Sequence, residues 1–274
     1  MIIQIEPWID KEELYQLKRV IDKKFVTENE LTKEFEKKIA NLTGVNYAIA
    51  ITNGTLATYC IIKAMDIGPG DEVIVPNMTF ISTANSVILA GAKPVLCDIS
   101  EDTFCIDFDK AKKLVNSKTK AVMPVHLYGQ SADMIKCRKF AKKHNLKIIE
   151  DAAQGIGVKF KDQHVGSFGN AGVLSFYGNK IITTGEGGII LTNDKNIAKK
   201  CYSLKNHGRQ KKGVFIHEDV GFNFSFTEMQ AAIGLSQLKK LSRIRKRKND
   251  IYKTYHKKIK NISGVDKCLS LIHI

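Results

Sequence analysis

The sequence predicts an α/β domain with a mainly parallel sheet flanked by helices. Short runs rich in Val and Ile recur along the chain, and none alternates cleanly with polar residues, which is typical of strands buried on both faces. Amphipathic stretches such as 109–115 and 134–144 lie between many of these runs, as expected for strands joined by helices. The predicted strands are 47–51, 72–75, 94–97, 121–125, 147–150, 173–176 and 188–192.

The length of 274 residues allows one large domain, or one domain and part of a second. A hydrophobic content of 43% and a charged content of 26% are typical of a soluble globular protein. The first residues include acidic side chains where a signal peptide has a basic start, and no apolar run approaches membrane-spanning length. We therefore expect a cytoplasmic protein with no membrane partner.

Cysteine and histidine spacing argues against a metal centre. The six cysteines form no C-x-x-C pair, and the seven histidines show no H-E-x-x-H spacing. Scattered cysteines in a chain of this length predict reduced thiols rather than disulfides or a zinc site.

The net charge of +15 is concentrated near the C-terminus, where residues 201–274 carry 16 Lys and Arg against 5 Asp and Glu. The densest part is K-K-L-S-R-I-R-K-R-K at 239–248, and the excess continues to 260. Either a solvated helix face or an anion-binding surface fits this pattern. No aromatic or base-reading motif accompanies the charges, which favours the solvated face and argues against a nucleic-acid partner.

Ligands of open α/β sheets bind beyond the carboxyl ends of the strands, so the segments directly after the predicted strands are the candidate site. Those segments are polar and rich in glycine. They read T-N-G-T at 52–55, N-M-T-F at 77–80, H-L-Y-G at 126–129, D-A-A-Q at 151–154 and Y-G-N-K at 177–180.

Three of these segments carry groups that could bind a ligand or react. The turn at 52–55 leads into a helical run, and the free N–H groups of a helix N-terminus suit a phosphate, although such turns are also common without one. Asp151 could cap a helix, bind a metal or pair with a protonated ring nitrogen. Lys180 lies five residues beyond Ser175 and would be nucleophilic if neutral, but it is one of 37 lysines.

Long co-linear segments resemble the DegT-type sugar aminotransferases, pyridoxal-phosphate enzymes of the aspartate-aminotransferase-like fold type I, and the lysine segment is most similar to perosamine synthases. These segments cover most of residues 1–240. They are NYAIAITNGTLAT, GPGDEVIVPNMTF, GAKPVLCDIS, MPVHLYGQ, IIEDAAQ, GSFGNAGVLSFYGNKIITTGEGG and GFNFSFTEMQAAIGLSQL.

The resemblance implies roles for the candidate residues. Lys180 matches the lysine that holds pyridoxal 5′-phosphate as a Schiff base and moves the proton during transamination. Asp151 matches the aspartate that pairs with the pyridinium nitrogen, which makes the ring an electron sink. Gln154 matches the residue beside the cofactor's 3-hydroxyl, and Phe80 matches the aromatic ring that stacks on the cofactor.

Further cofactor and substrate contacts follow from the same resemblance. Residues matching the phosphate site are Thr55, Leu56 and Ser175, and Asn223 matches an asparagine that reaches the phosphate of a partner subunit, which implies a homodimer with shared active sites. Without the resemblance, Asn223 would be read as a turn or capping residue. His126 and Asn179 are candidate substrate contacts.

The resemblance also implies a domain arrangement. We expect a cofactor-binding large domain with an N-terminal helical segment at 1–240, followed at 241–274 by the start of a smaller C-terminal domain that is largely missing. The last residues, C-L-S-L-I-H-I, resemble no family segment and are expected to be non-native.

The function implied is transfer of an amino group from an amino acid, expected to be L-glutamate, to a nucleotide-linked 4-keto-6-deoxyhexose or 3-ketosugar, giving an aminosugar for polysaccharide or glycan synthesis. Two alternatives remain. A sugar dehydratase of the same fold usually has histidine in place of the lysine, so Lys180 argues against it. A non-catalytic regulatory or interaction protein on the same fold is the other. No G-x-G-x-x-G opens a helix after a strand, which argues against a nicotinamide dehydrogenase.

Overall fold

The computed structural model describes residues 6–210, 213–259 and 262. Its centre is a seven-stranded sheet in the order β1-β9-β8-β5-β4-β2-β3, with a separate two-stranded hairpin made of β6 and β7. The strands are β1 Tyr47–Ile51, β2 Glu72–Pro76, β3 Lys93–Cys97, β4 Thr119–Val122, β5 Lys147–Asp151, β6 Lys159–Phe160, β7 Gln163–His164, β8 Ala171–Ser175 and β9 Gly188–Thr192.

The sheet is mainly parallel, which confirms the predicted fold class. Strands β3, β2, β4, β5 and β8 pair in parallel, whereas β9 runs antiparallel to both β8 and β1. Every strand of the seven-stranded sheet except β9 therefore points its carboxyl end to the same edge. In the register, Gly188 at the start of β9 lies opposite both Ile51 at the end of β1 and Ser175 at the end of β8.

The fourth predicted strand is the one whose bounds differ most from the structure. Strand β4 ends at Val122 rather than at 125, although the Met123 N–H still donates to the Ile74 carbonyl at 2.8 Å. Proline at position 124 has no N–H to continue the ladder, and its carbonyl instead accepts the N–H of Asp151 at 3.0 Å. The regular ladder is therefore interrupted at Pro124, and pairing with β5 resumes only as a single parallel bridge between Val125 and Asp151, where the candidate site begins.

Helices cover both faces of the sheet. The predicted helix at 134–144 is confirmed, and the stretch 109–115 is a short α-helix followed by a 3-10 turn at Lys112–Leu114. The helices are α1 Lys11–Asp22, α2 Glu30–Thr43, α3 Gly54–Ala64, α4 Ser82–Leu89, α5 Phe108–Ala111, α6 Met134–His144, α7 Lys195–Lys205 and α8 Glu228–Ile259.

The core lies on both faces of the sheet, as the uninterrupted apolar strands predict. In β2, Val73 and Val75 pack into one apolar cluster with α3, whereas Ile74 between them packs into another cluster with α6. Alternate residues of one strand thus enter opposite layers, which places the sheet in the middle of the fold.

The basic segment 239–248 lies within α8, and part of it holds the N-terminal helix. Lys240 Nζ lies 2.6 Å from the carboxylate of the buried Glu13 on α1, and Arg243 lies over the ring of Trp8 at 4.5 Å. Helix α8 runs unbroken across position 240, so the domain boundary placed there stays a prediction, and residues 260, 261 and 263–274 lie outside the described part of the chain.

Candidate active site

A turn that contains glycine leads from β1 into α3 and packs against the end of β8 and the start of β9. Asn53 caps α3, because its side-chain oxygen accepts the N–H of Leu56 at 2.9 Å. A Cβ atom added to Gly54, the first residue of α3, would lie 3.2 Å from the Cβ of Ser175. A Cβ added to Gly188 would lie 2.5 Å from the Asn53 carbonyl. Glycine at these two positions therefore lets β8, β9 and the start of α3 approach closely.

This turn has the properties of a phosphate site. The first residues of a helix have N–H groups without intrahelical acceptors, and the helix dipole is positive there. Gly54 and Thr55 are the first two residues of α3, and Ser175 brings a hydroxyl group beside them. The N–H of Leu56 is already bound to Asn53, so the groups that best fit the predicted phosphate contact are those of Gly54 and Thr55 together with Ser175.

Asp151 is the last residue of β5 and is held in one orientation. Its carboxylate accepts the hydroxyl of Thr83 at 2.7 Å through Oδ2 and the N–H of Ala153 at 3.1 Å through Oδ1. Its main-chain carbonyl accepts the N–H of His126 at 3.0 Å. The residue is 6% exposed, so a fixed negative charge lies just below the surface at the edge of the sheet.

Thr83 is a functional candidate that the sequence analysis missed. It lies in the first turn of α4, is 1% exposed and also shares a 2.9 Å hydrogen bond with the hydroxyl of Thr79. Its nearness to Asp151 depends on how α4 packs against the end of β5, which spacing along the chain does not show. The only sequence signal is a threonine three residues after Phe80, in the first turn of the helix that follows, and the polar Ser and Asn residues beside it make that signal weak.

Lys180 shares this edge with Asp151. Its N–H donates to the Tyr177 carbonyl at 2.9 Å, which closes the turn after β8. Burial lowers the pKa of the Lys180 side chain below its ordinary value, and the negative charge of Asp151 opposes that change. The burial effect is the larger, so the structure favours the neutral, nucleophilic amine more than bulk water does.

Two further predicted cofactor residues lie around this pair. The Phe80 ring is 69% exposed, and its carbonyl accepts the N–H of Thr83 at 3.1 Å. The Gln154 side chain accepts the N–H of Tyr128 at 2.6 Å, and Tyr128 adopts a left-handed conformation with φ of 53°. Gln154 therefore ties the loop after β4 to the residues that follow Asp151.

His126 is the predicted substrate residue that the structure does not bring to the surface, which corrects that prediction. Its side chain is fully buried, and Nδ1 accepts the N–H of Ala132 at 3.2 Å. Nε2 therefore carries the proton and donates to Glu150 at 3.0 Å. Glu150 also accepts three backbone N–H groups, those of residues 166, 168 and 169. The sequence could not show this burial, because it depends on the fold of the 164–169 turn.

The remaining predicted residues are exposed. Asn179 lies in the turn that precedes Lys180. Asn223 is exposed and forms a backbone bridge with Asn206, while the carbonyl of its neighbour Phe224 accepts the N–H of Thr52 at 3.1 Å. Asn223 therefore belongs to a segment that contacts the phosphate turn through the backbone, although a partner subunit's site would be its predicted target.

Metal and thiol chemistry receive no support from the described residues. Among them, no group of three or more His, Cys, Asp or Glu side chains could hold a metal ion. Five cysteines lie in this part of the chain, and all five are free and buried. No helix in the described ranges is both long and apolar enough to cross a membrane.

Comparison with known proteins gives a consistent family. The model described as the DegT/DnrJ/EryC1/StrS aminotransferase family matches residues 7–269. The GDP-perosamine synthase of Caulobacter vibrioides is 50% identical over 208 residues, which are 76% of this chain and 56% of that protein. The GDP-perosamine synthase of Escherichia coli O157:H7 is 40% identical over 235 residues, 86% of this chain and 65% of that protein. The chain thus spans between about half and two thirds of these two relatives.

Solved structures agree with the fold. The aminotransferase of Psychrobacter cryohalolentis superposes with a TM-score of 0.89 at 36% identity, over 93% of this chain and 69% of that one. The structure of DesV of S. venezuelae in complex with a ketimine intermediate superposes with a TM-score of 0.91 at 30% identity, over 99% of this chain and 77% of that one.

Proposed function

Because the chain belongs to the DegT/DnrJ/EryC1/StrS aminotransferase family, we propose that it is the cofactor-binding part of a pyridoxal-phosphate-dependent sugar aminotransferase. The observation that carries the proposal is that Lys180 lies within electrostatic reach of Asp151 at the edge where the phosphate turn lies. The site combines three different groups: a lysine with a lowered pKa, a carboxylate held in one orientation, and a helix N-terminus with a neighbouring hydroxyl. Few ligands need a nucleophile, a negative charge and a phosphate site together.

The residues present fit pyridoxal 5′-phosphate, the cofactor that the family implies. Its phosphate suits the start of α3 together with Ser175, its protonated ring nitrogen suits Asp151, and its aldehyde suits the amine of Lys180. When bound, the cofactor supplies an electron sink for bond cleavage at the α-carbon of an amino acid.

The side chains of the chain then have separate tasks. Lys180, favoured as the neutral amine by burial, accepts a proton at Nζ and returns it on the same face of the site. Asp151 would hold the protonated ring nitrogen, and its carboxylate is kept in one orientation because Thr83 and the N–H of Ala153 each bond to one of its oxygens. The exposed Phe80 ring offers an apolar face for stacking, and Gln154 fixes the loop that borders the site.

The proposed substrates are an amino-acid donor and a nucleotide-linked keto sugar. Similarity to three GDP-perosamine synthases at 50%, 40% and 37% identity supports a nucleotide-linked 4-keto-6-deoxyhexose as the acceptor. Similarity to the Bacillus subtilis spore coat polysaccharide biosynthesis protein SpsC, 38% identical over 269 residues, supports an aminosugar product for a polysaccharide. We propose L-glutamate as the amino-group donor because of the family resemblance. We also propose that the protein is located in the cytoplasm.

We also propose that the protein acts as a homodimer with shared sites. The exposed Asn223 would then contact the partner subunit's phosphate, as its place in the G-F-N-F motif predicts. Large exposed apolar side chains at the N-cap of α4, on α4 and on the neighbouring edge strand β3 support an interface, because exposed apolar surface is costly to leave in water. They are Ile81 (61% exposed), Ile88 (59%), Leu89 (55%) and Leu96 (60%).

The proposal is tested by spectroscopy with added pyridoxal phosphate. Binding should produce an absorbance band in the wild type that L-glutamate shifts to that of the amine form, and a keto-sugar nucleotide should reverse the shift. Lys180→Ala should abolish the band. A regulatory protein would show no glutamate response, a dehydratase would consume sugar without net amino transfer, and either result would overturn the proposed function.

A further inference from the structure

A fully buried lysine lies outside the site, at the end of α7. Lys205 Nζ donates to the Ala50 carbonyl at 2.8 Å, lies 3.0 Å from the Glu28 carboxylate and lies 3.9 Å from that of Glu36. Burying an ammonium group is unfavourable unless it is paired and hydrogen-bonded. Ala50 is a residue of β1, Glu36 lies in α2, and Glu28 lies just before α2.

Lys205 and Glu36 form hydrogen bonds to the free edge of the sheet. Strand β1 is an edge strand, because it pairs only with β9 in the seven-stranded order. On its open side, the N–H of Ala50 donates to Glu36 Oε1 at 2.8 Å and the Ala50 carbonyl accepts from Lys205. The next open N–H is that of Thr52, which donates to the Phe224 carbonyl at 3.1 Å. The open edge is thus hydrogen-bonded at Ala50 and at Thr52, the first residue of the phosphate turn.

The main chain of Lys205 holds the segment 222–224 from its other side. Its carbonyl accepts the N–H of Phe224 at 3.0 Å, and the Leu204 carbonyl accepts the N–H of Phe222 at 2.7 Å. Between these two bonds, Asn223 forms its backbone bridge with Asn206. Lys205 is therefore bonded to β1 through its side chain and to the Asn223 segment through its backbone.

We propose that Lys205 is a positioning residue for phosphate recognition, which rests on the proposed function in that the phosphate binds at the start of α3. Its ammonium group touches no cofactor, because it is fully buried among the Ala50 carbonyl, Glu28 and Glu36. It bonds to Ala50, two residues before Thr52, and to Phe224, whose carbonyl accepts the N–H of Thr52, so the turn at 52–55 and Asn223 keep their geometry. Phosphate affinity should therefore depend on Lys205, whereas recognition of the ring and aldehyde should not.

Pyridoxal phosphate and pyridoxal separate these contributions, because only the first carries a phosphate. Kd for each is measured by absorbance titration of the full chain. In Lys205→Met we expect Kd for pyridoxal phosphate to rise about tenfold, equivalent to one lost hydrogen bond, and Kd for pyridoxal to change less than about twofold. Glu28→Gln keeps Lys205 and its bond to Ala50 but removes a paired charge, and should raise Kd for pyridoxal phosphate about threefold.

Lys240→Met is the matched control. Lys240 is also a largely buried helix lysine with two acidic partners, Glu13 at 2.6 Å and Asp10 at 2.8 Å, but it joins α1 to α8 instead of bordering the turn. Its replacement should lower the thermal midpoint without changing the ratio of the two Kd values.

The ratio of the two Kd values decides the outcome. If Lys205→Met changes both equally or changes neither, positioning through the phosphate turn is wrong. If that variant does not fold, Glu28→Gln decides by the same ratio, and an unchanged ratio overturns the inference. A wild type that binds pyridoxal phosphate no more tightly than pyridoxal contradicts the proposed function itself, and the inference with it.

Discussion

Replacing Thr83 with valine should weaken cofactor binding although Thr83 need not touch the cofactor. The change keeps the shape of the side chain and removes the hydroxyl that donates to Asp151 at 2.7 Å. A hydrogen bond to a charged group contributes about 1.5–3 kcal/mol to stability, and Thr83 is 1% exposed, so little water can replace the lost donor. We expect the free energy of unfolding to fall by about 2 kcal/mol. Kd for pyridoxal phosphate should rise about tenfold, because the Asp151 carboxylate can turn away from the ring nitrogen.

Urea denaturation of the cofactor-free protein gives the first quantity, and absorbance titration gives the second. Thr83→Ser keeps a hydroxyl and should retain most of the wild-type affinity. Thr192→Val is the matched control, because Thr192 is 3% exposed and donates to the Asn170 carbonyl at 2.7 Å, away from the candidate site. It should lose stability but not affinity. Wild-type affinity in Thr83→Val would refute the positioning of Asp151 by Thr83.

Three further predictions test the fold around the site. Burial raises the pKa of Glu36 from 4.5 to about 7, although the positive charge of Lys205 opposes this shift. A raised carboxyl pKa lowers the stability of the folded protein as pH rises between those two values, so Glu36→Gln should gain thermal stability relative to the wild type over that range. A difference in stability that does not depend on pH would contradict this prediction. Gly188→Ala should lower affinity for pyridoxal phosphate, because its Cβ would lie 2.5 Å from the Asn53 carbonyl; unchanged binding would show that the strand and the turn need not be this close. Burial raises the pKa of five thiols, so iodoacetamide should leave them unmodified in the native protein and label them in urea, whereas native labelling would contradict the packing. These thiols are Cys60, Cys97, Cys105, Cys137 and Cys201.

The strands could be predicted because their residues are buried on both faces and therefore form uninterrupted apolar runs. The one substantial shift in bounds, at β4, has a local cause in the missing N–H of proline 124. Once the strands are known, the parallel sheet places their ends at one edge. That is why the sequence could bring Lys180, Asp151 and Ser175 to the same site.

What the sequence could not show depends on contacts between distant segments. Thr83 reaches Asp151 across 68 positions, and Lys205 reaches Ala50 across 155. His126 was a candidate substrate contact, but its side chain is fully buried and donates to Glu150 in the interior. Residues at strand ends thus share an edge, but their side chains face the site only where packing allows it.

The most direct test of the central claim is the position of the covalent link to the cofactor. The protein is incubated with pyridoxal phosphate, reduced with borohydride, digested and analysed by peptide mass spectrometry. We predict that the cofactor mass lies on Lys180, among 37 lysines, and that it is lost in Lys180→Ala without transfer to another site. Stoichiometric labelling of a different lysine, or no labelling of Lys180 in the folded protein, would contradict the account.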